Sequence, residues 1–230
     1  MMKKLLSAQF IVCLASMAFA ADLTTTKATE RVQAAADVLS EIQAAPDQGI
    51  PENVLGSAEC VAVVPTLLNG GFIIGARYGR GVASCRTPKG WSAPAFFMVE
   101  GGSVGFQIGG QAVDLVMLIM NSDGMRHLLS SKFKLGADAS AAAGPVGRAA
   151  AADTDWKLKA QILSYSRARG VFAGVALDGA VIKQDKDSTR EFYGHVVTPQ
   201  ASLQGLVDAP QTAYPFLATL AKWATEAAKK

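Results

Sequence analysis

Forty consecutive residues, Cys60 to Val99 (CVAVVPTLLNGGFIIGARYGRGVASCRTPKGWSAPAFFMV), hold no carboxylate and almost no helix-favouring pattern. Val, Ile and Phe runs broken by glycine are the composition of strands, because branched and aromatic side chains pack well on a pleated surface. The segment is too long for one typical strand and too apolar for a linker, so it commits the chain to a sheet. Its charges are Arg77, Arg80, Arg86 and Lys89, all positive. An uncompensated cationic stretch points toward an anionic partner and away from acid-base chemistry.

The rest of the chain fits around that sheet. At 230 residues, half of them hydrophobic, it has enough apolar surface for a full core. Lys and Arg exceed Asp and Glu by 22 to 19, a formal charge of +3. That excess is too small, and too scattered, for a protein that tracks nucleic acid.

The N-terminus reads as an address. Lys3 and Lys4 precede an apolar run from Leu5 to Met17, and Ala18-Phe19-Ala20 supplies the small-x-small pattern of a cleavage site. The expectation is a signal peptide over 1–20, a mature start at Ala21, and a periplasmic or secreted product. Without Lys3 and Lys4 the formal charge falls from +3 to +1, so electrostatic function has to come from a patch. Cys13 leaves with the signal; Cys60 and Cys85 remain in a compartment that permits disulfides. Pairing is the expectation, and two buried thiols are the alternative. Two distant cysteines with His127 and His195 have no metal-ligand spacing, and neither a metal nor another cofactor is expected.

Helical spacing of Val32, Ala35, Leu39 and Ile42 predicts a helix within Leu23 to Ala45, and Pro51 to Ser57 reads as a further helical turn. Strands are expected at Val61 to Val64, Phe72 to Arg86, Ser92 to Glu100, Ser103 to Ile108 and Val113 to Met120. Gly70-Gly71, Thr87 to Gly90 and Gly101-Gly102 are read as the turns between them. Ser122 to Ser131 reads as a middle helix capped by Asn121 or Ser122. Strands resume over Leu135 to Arg148 and Ile162 to Gln184, with turns at Ala168 to Gly170 and at Asp178-Gly179. After the polar Asp185 to Arg190, Phe192-Tyr193-Gly194 is read as closing the sheet region. Pro199 and Pro210 bracket a linker, and Pro215 to Ala228 forms a last helix facing inward with Phe216, Leu217, Leu220 and Trp223 or Ala224. The fold class is α+β: a glycine-rich, mostly antiparallel sheet with N-terminal, middle and C-terminal helices. One domain over 21–198 and a C-terminal linker and helix over 199–230 complete the organisation.

Two motif matches carry little weight. Gly101-Gly102-Ser103-Val104-Gly105 spells the nucleophile elbow of serine hydrolases, with Asp178 and His195 following in order, but the elbow needs a helix after the serine and this sequence continues as a strand. A hairpin turn is the plainer reading. Gly75, Gly79 and Gly81 lack the Lys-Ser/Thr ending and the helix of a phosphate-binding loop. The cations remain. Arg77, Arg80, Arg86 and Lys89, with Trp91 beside the turn, are the candidate lipid-headgroup contacts, and Lys132 and Lys134 in KFKLG are a second candidate pair.

Longer motifs resemble a known family. Ile50-Pro51 through Pro65, then GARYGRGVASCR, Gly90-Trp91-Ser92-Ala93-Pro94, GFQIGGQAVDLVMLIMN, LGADASAAAGPVGR, YSRARGVFAGVALDGAVI and Phe192-Tyr193-Gly194 are similar, in order, to the SYLF domain, also called the Ysc84 family. The resemblance runs from about Val32 to Gly194. It implies a non-enzymatic lipid-binding module with an anionic phospholipid or membrane surface as partner, phosphoinositides in eukaryotic members and actin as well in fungal ones. Actin is not an expected partner of an exported chain. Thr66-Leu67-Leu68-Asn69 lacks the lysine common after the matching proline in fungal and animal members. The Thr24 to Gln43 region has a stripe of small residues unlike a membrane-inserting helix, so packing on the sheet is expected. The runner-up function is an envelope structural or protein-interaction domain; a serine hydrolase acting through Ser103 is the remote one.

Overall fold

A computed structural model describes residues 26–44, 49–146, 160–168 and 171–228. The signal-peptide reading, Arg148 and the Ala168 to Gly170 turn therefore lie wholly or partly outside the described residues. Helix α1 (Lys27–Gln43) starts at Thr26, whose side chain accepts a hydrogen bond from the Thr29 N–H, with Glu30 in its first turn. Val32, Ala35, Leu39 and Ile42 are all buried, so the small-residue stripe packs against the sheet, as its spacing predicts. Helix α2 (Glu52–Ser57) follows Pro51.

The sheet is dominated by two very long strands. β1 (Cys60–Thr87) pairs antiparallel with β3 (Ala95–Ile119), from Cys60 opposite Ile119 to Ala83 opposite Ala95. Between them Gly90–Trp91 forms the short strand β2 against the end of β1. The turn expected at Thr87 to Gly90 is present. Those expected at Gly70-Gly71 and Gly101-Gly102 are not, because both pairs lie inside continuous strands. Glycine serves there to let the strand bend. Register shifts at Val64/Leu67, around Pro65, and at Gly71/Ile73 mark where β1 curls. A Cβ on Gly81 would lie 2.6 Å from the Val63 carbonyl oxygen, and one on Gly79 equally close to a Val64 methyl. The two ends of β1 therefore meet, and the Arg86 N–H donates to the Glu59 carbonyl at 2.7 Å. The Cys60–Cys85 disulfide fastens them. The expected pairing is borne out, but the cysteines sit on one curled strand and not on two neighbouring ones.

β3 carries different partners at its two ends. Residues 97–100 pair with β8 (Val181–Gln184), and residues 114–119 with β6 (Ile162–Ala168). β4 (Lys132–Lys134) adds to β8, β7 (Val171–Gly174) to β6, and β5 (Ala141–Ala143) runs parallel to β6. The result is a curled, mostly antiparallel sheet, eight-stranded among the described residues. Between its two ends β3 pairs, among the described residues, with β1 alone, so residues 101–113 and their partners form a two-stranded ribbon.

Each face has its own core. One gathers Val61, Val63, Val82, Phe96, Val116 and Leu118 under the helices. The other gathers Val64, Phe97, Val99, Leu115, Met117 and Ile182 inside the curl. α3 (Ser122–Leu129) is capped by Asn121, which accepts from the Gly124 N–H. Polar Asp185 to Arg190 is helical, and Phe192-Tyr193-Gly194 ends that helix and does not close the sheet: α4 (Lys186–Tyr193) begins at Asp185, which caps the Ser188 N–H, and ends at Gly194 in the left-handed region. The stretch after Pro199 is likewise helical as α5 (Pro199–Leu203), with Thr198 as its cap. α6 (Tyr214–Ala228) buries Phe216, Leu220 and Trp223 in the helix-side core, with Leu217 packed against it. Among the described residues no helix is long and apolar enough to cross a membrane.

Candidate functional site

The four sequence-predicted cations do not share one rim. Side chains alternate along β1, so Arg80 and Arg86 lie on the helix side with Val82, while Arg77 lies on the other side with Ala83. Arg86 is tied into the scaffold. Its Nε donates to the Ala58 carbonyl at 2.8 Å, just beyond α2, and its guanidinium sits over Trp91, 4.7 Å from the ring centroid. Trp91 itself packs half-buried against the helix-side core. Lys89 stands exposed in the neighbouring turn.

Arg80 is also engaged. Its Nε donates to the Tyr78 hydroxyl at 2.8 Å, and its Nη1 lies 3.3 Å from Asp185. Arg31, from α1, reaches the same carboxylate at 3.8 Å and donates to Ser188 at 2.8 Å. Two guanidiniums thus share one buried carboxylate, which itself accepts from the Ser188 hydroxyl. Burial holds the Arg31 guanidinium below its usual pKa, opposed by Asp185. Tyr78 and Asp185 together raise that of Arg80. This cluster locks α1 and α4 onto the sheet. Sequence reasoning missed Asp185; its signal was the helix-cap spacing of Asp185 to Ser188 in DKDS.

Lys132 and Lys134 project from β4 on either side of buried Phe133, both exposed. Lys132 lies in register with Lys183, which is paired to Glu100, and the Lys134 N–H donates to Asp138.

Arg77 occupies a different setting. It lines an open cavity of about 290 Å³ bordered by the ribbon, by β6 and by residues 175–177. Leu67, Val113, Leu115 and Leu177 give the cavity apolar walls; Asn69 and Gln111, opposite each other in register, and Ser166 give it polar ones. Gly70, Gly71 and Gly75 contribute wall without side chain, which is what leaves the space open. The Arg77 Nε is buried and hydrogen-bonded to none of the described residues. Burial lowers the guanidinium's pKa, and the Asp178 carboxylate opposes that shift. A partly desolvated cation with an idle buried donor, set in a half-apolar cavity, is suited to hold an anionic group.

A second cleft, lined by Glu41, Pro65, Asp114 and Arg167 among others, is charge-compensated. Arg167 donates to Asp114 at 2.9 Å and pairs with Glu41 on α1. Burial pushes the Asp114 carboxyl up to about 6. Ser103 stands in mid-strand opposite Gly75, with no helix after it, so Gly101 to Gly105 forms neither a nucleophile elbow nor a hairpin turn. Among the described residues no group of His, Cys, Asp and Glu is placed to hold a metal ion.

The sequence is similar to known proteins. The family model described as "Ysc84: Las17-binding protein actin regulator" matches residues 100–223, reaching past Gly194 into α6. Protein YSC84 of Saccharomyces cerevisiae is 34% identical over 178 residues, which is 76% of this chain and 38% of that protein. SH3 domain-containing YSC84-like protein 1 of Mus musculus is 34% identical over 171 residues, 73% of this chain and 49% of its own length. Its Xenopus laevis counterpart is 34% identical over 151 residues, 65% and 45% of the two chains. The chain thus spans less than half of each of these three relatives. By the extent of the family match and the agreement of these relatives, the chain belongs to the Ysc84 family.

Proposed function

We propose that this chain is an exported, non-catalytic domain that binds anionic phospholipid headgroups. The observation that carries the reading is Arg77, a half-buried guanidinium whose Nε is hydrogen-bonded to none of the described residues, in a cavity of mixed polarity. Exposed Lys89, Lys132 and Lys134 supply a weaker attraction, about 1 kcal/mol each near an anionic surface. Three such charges favour reversible, salt-sensitive association over anchoring. The resemblance of the motifs to lipid-binding SYLF domains supports the same class, and the Lys3-Lys4 n-region with its apolar run supports export. Co-sedimentation with phosphatidylglycerol vesicles, against phosphatidylcholine alone, tests the binding. Association confined to the anionic vesicles and weakened by salt supports it; equal or absent association overturns it. N-terminal sequencing of the protein from a periplasmic or culture fraction tests export, with Ala21 as the expected first residue.

The names of the relatives favour a second reading, a protein-interaction module. The family description names Las17 binding and actin regulation, and the expectation that actin is not a partner draws no support from it. On this reading the vesicle assay shows no lipid preference, and crosslinking in envelope extracts yields a discrete protein partner.

A further inference from the structure

We infer that the Arg77 cavity takes the head of a single anionic amphiphile, the charged group on Arg77 and the first methylenes against Leu67, Val113, Leu115 and Leu177. The inference rests on the lipid-binding reading and names the ligand of that site.

Size comes first. At about 290 Å³ the cavity is at the small end of ligand pockets, large enough for a headgroup and the start of a chain. Surface adhesion through lysines needs no cavity at all; this one has a cation in its wall. Chemistry comes second. A buried N–H without a partner costs free energy, and an incoming phosphate or carboxylate oxygen would satisfy the Arg77 Nε, which bonds to none of the described residues, by a charge-assisted hydrogen bond. Asn69 and Gln111, paired across the ribbon, are placed in the same wall for neutral oxygens or hydroxyls near the charged head. Apolar side chains of both β3 and residues 175–177 form the remainder, which free inorganic phosphate would leave unused.

Asp178 is the competitor. Its carboxylate lies near enough to act on the Arg77 guanidinium through space, though the two form no ion pair among the described residues, so it also repels an anion drawn to Arg77. Removing that charge should improve binding of an anion at Arg77 and leave binding elsewhere unmoved.

The shared ligand chemistry, one anionic head on an apolar chain, has two sources: a membrane phospholipid or a free fatty acid. Calorimetric titration of the full chain with dihexanoyl-phosphatidylglycerol below its micelle concentration, with decanoate, and with inorganic phosphate separates them. One-to-one binding of either amphiphile, and not of phosphate, is expected; the tighter of the two identifies the source. Arg77→Gln should weaken it about tenfold or more, since one charge-assisted contact is lost. Ala176→Phe, at the exposed rim, should weaken it without touching Arg77. Asp178→Asn should tighten it about threefold, as expected of relieving one partly screened like charge. Binding of phosphate as tight as either amphiphile, or no binding of either, overturns the inference, as does amphiphile binding unaffected by both Arg77→Gln and Ala176→Phe. If vesicles are bound while neither soluble amphiphile is, the cavity inference falls and the lipid-surface reading stands. If decanoate is bound and vesicles are not, the surface reading falls and the cavity stands.

Discussion

Arg86 sits over the indole of Trp91 with its guanidinium carbon 4.7 Å from the ring centroid, while its Nε donates to the Ala58 carbonyl. The pair joins the exit of α2 to the β1–β2 turn. That role is structural, so Arg86→Ala should lower stability by about 1 to 2 kcal/mol, the worth of one cation–π contact and one charge-assisted hydrogen bond at a partly exposed site. Vesicle association should change little. Urea melts and co-sedimentation on the same variant check both halves; an intact stability with lost lipid binding would return Arg86 to the lipid site.

The disulfide closes a long strand on itself, across a sequence separation of 25. In the chain-entropy model such a link stabilises by about 3 kcal/mol. Both cysteines are fully buried, so reductant alone should leave the folded protein oxidised, while reductant with moderate urea should shift the unfolding midpoint downward. Gly81→Ala should act on the same closure, because the new methyl would press on the Val63 carbonyl and the Phe97 ring. An unfolding midpoint insensitive to both changes would show that the ends of β1 are held by other contacts.

Asp185 holds two guanidiniums and caps α4. Asp185→Asn leaves Arg31, which is mostly buried, without its counter-charge, and a loss of about 3 kcal/mol is expected from breaking a buried pair on one side. The exposed Arg80 loses its counter-charge at the same time while keeping its hydrogen bond to Tyr78. Vesicle affinity of the folded fraction should then rise, which thermal melts and co-sedimentation below the melting temperature will measure together.

Asp114 gives the pH dependence. Its carboxyl is raised by burial from 3.8 to about 6, so the folded protein holds this proton at pH values where the unfolded chain has released it. Stability contributed by this group is therefore present below the unfolded value and declines as pH climbs toward about 6. Asp114→Asn, which mimics the neutral form, should flatten the decline. Melts of both proteins at several pH values check the sign; a wild type that gains on the variant as pH rises would mean that Arg167 holds the carboxylate ionised.

Much of the scaffold was legible from local pattern. The α1 stripe, the Asn121 cap and the inward residues of α6 follow from helical spacing, and Val-Ile-Phe composition announced the sheet. Strand boundaries were not legible where glycine was taken as punctuation. Gly70-Gly71 and Gly101-Gly102 allow curvature within strands, and that use depends on contacts with residues far away in sequence, such as Ala180 beside Gly101. The polar character of Asp185 to Arg190 hides a helix, because the Asp185 cap depends on backbone geometry that composition alone does not show. For the site, composition identified Arg77 along with three other cations, but not what separates it from them. Parity along β1 sends Arg77 to the opposite face from Arg80 and Arg86, and Asp185 and Ala58, which occupy those two, come from elements remote in the chain.

The most direct measurement is lipid identification by mass spectrometry on the chain purified natively from the cell envelope without detergent, wild type beside Arg77→Gln. An anionic amphiphile at about one per chain in the wild type, depleted in the variant, is the predicted result for a cavity of one-ligand size. Neutral lipid only, or the same anionic lipid retained equally by both proteins, would contradict the assignment of Arg77 as the group that holds it.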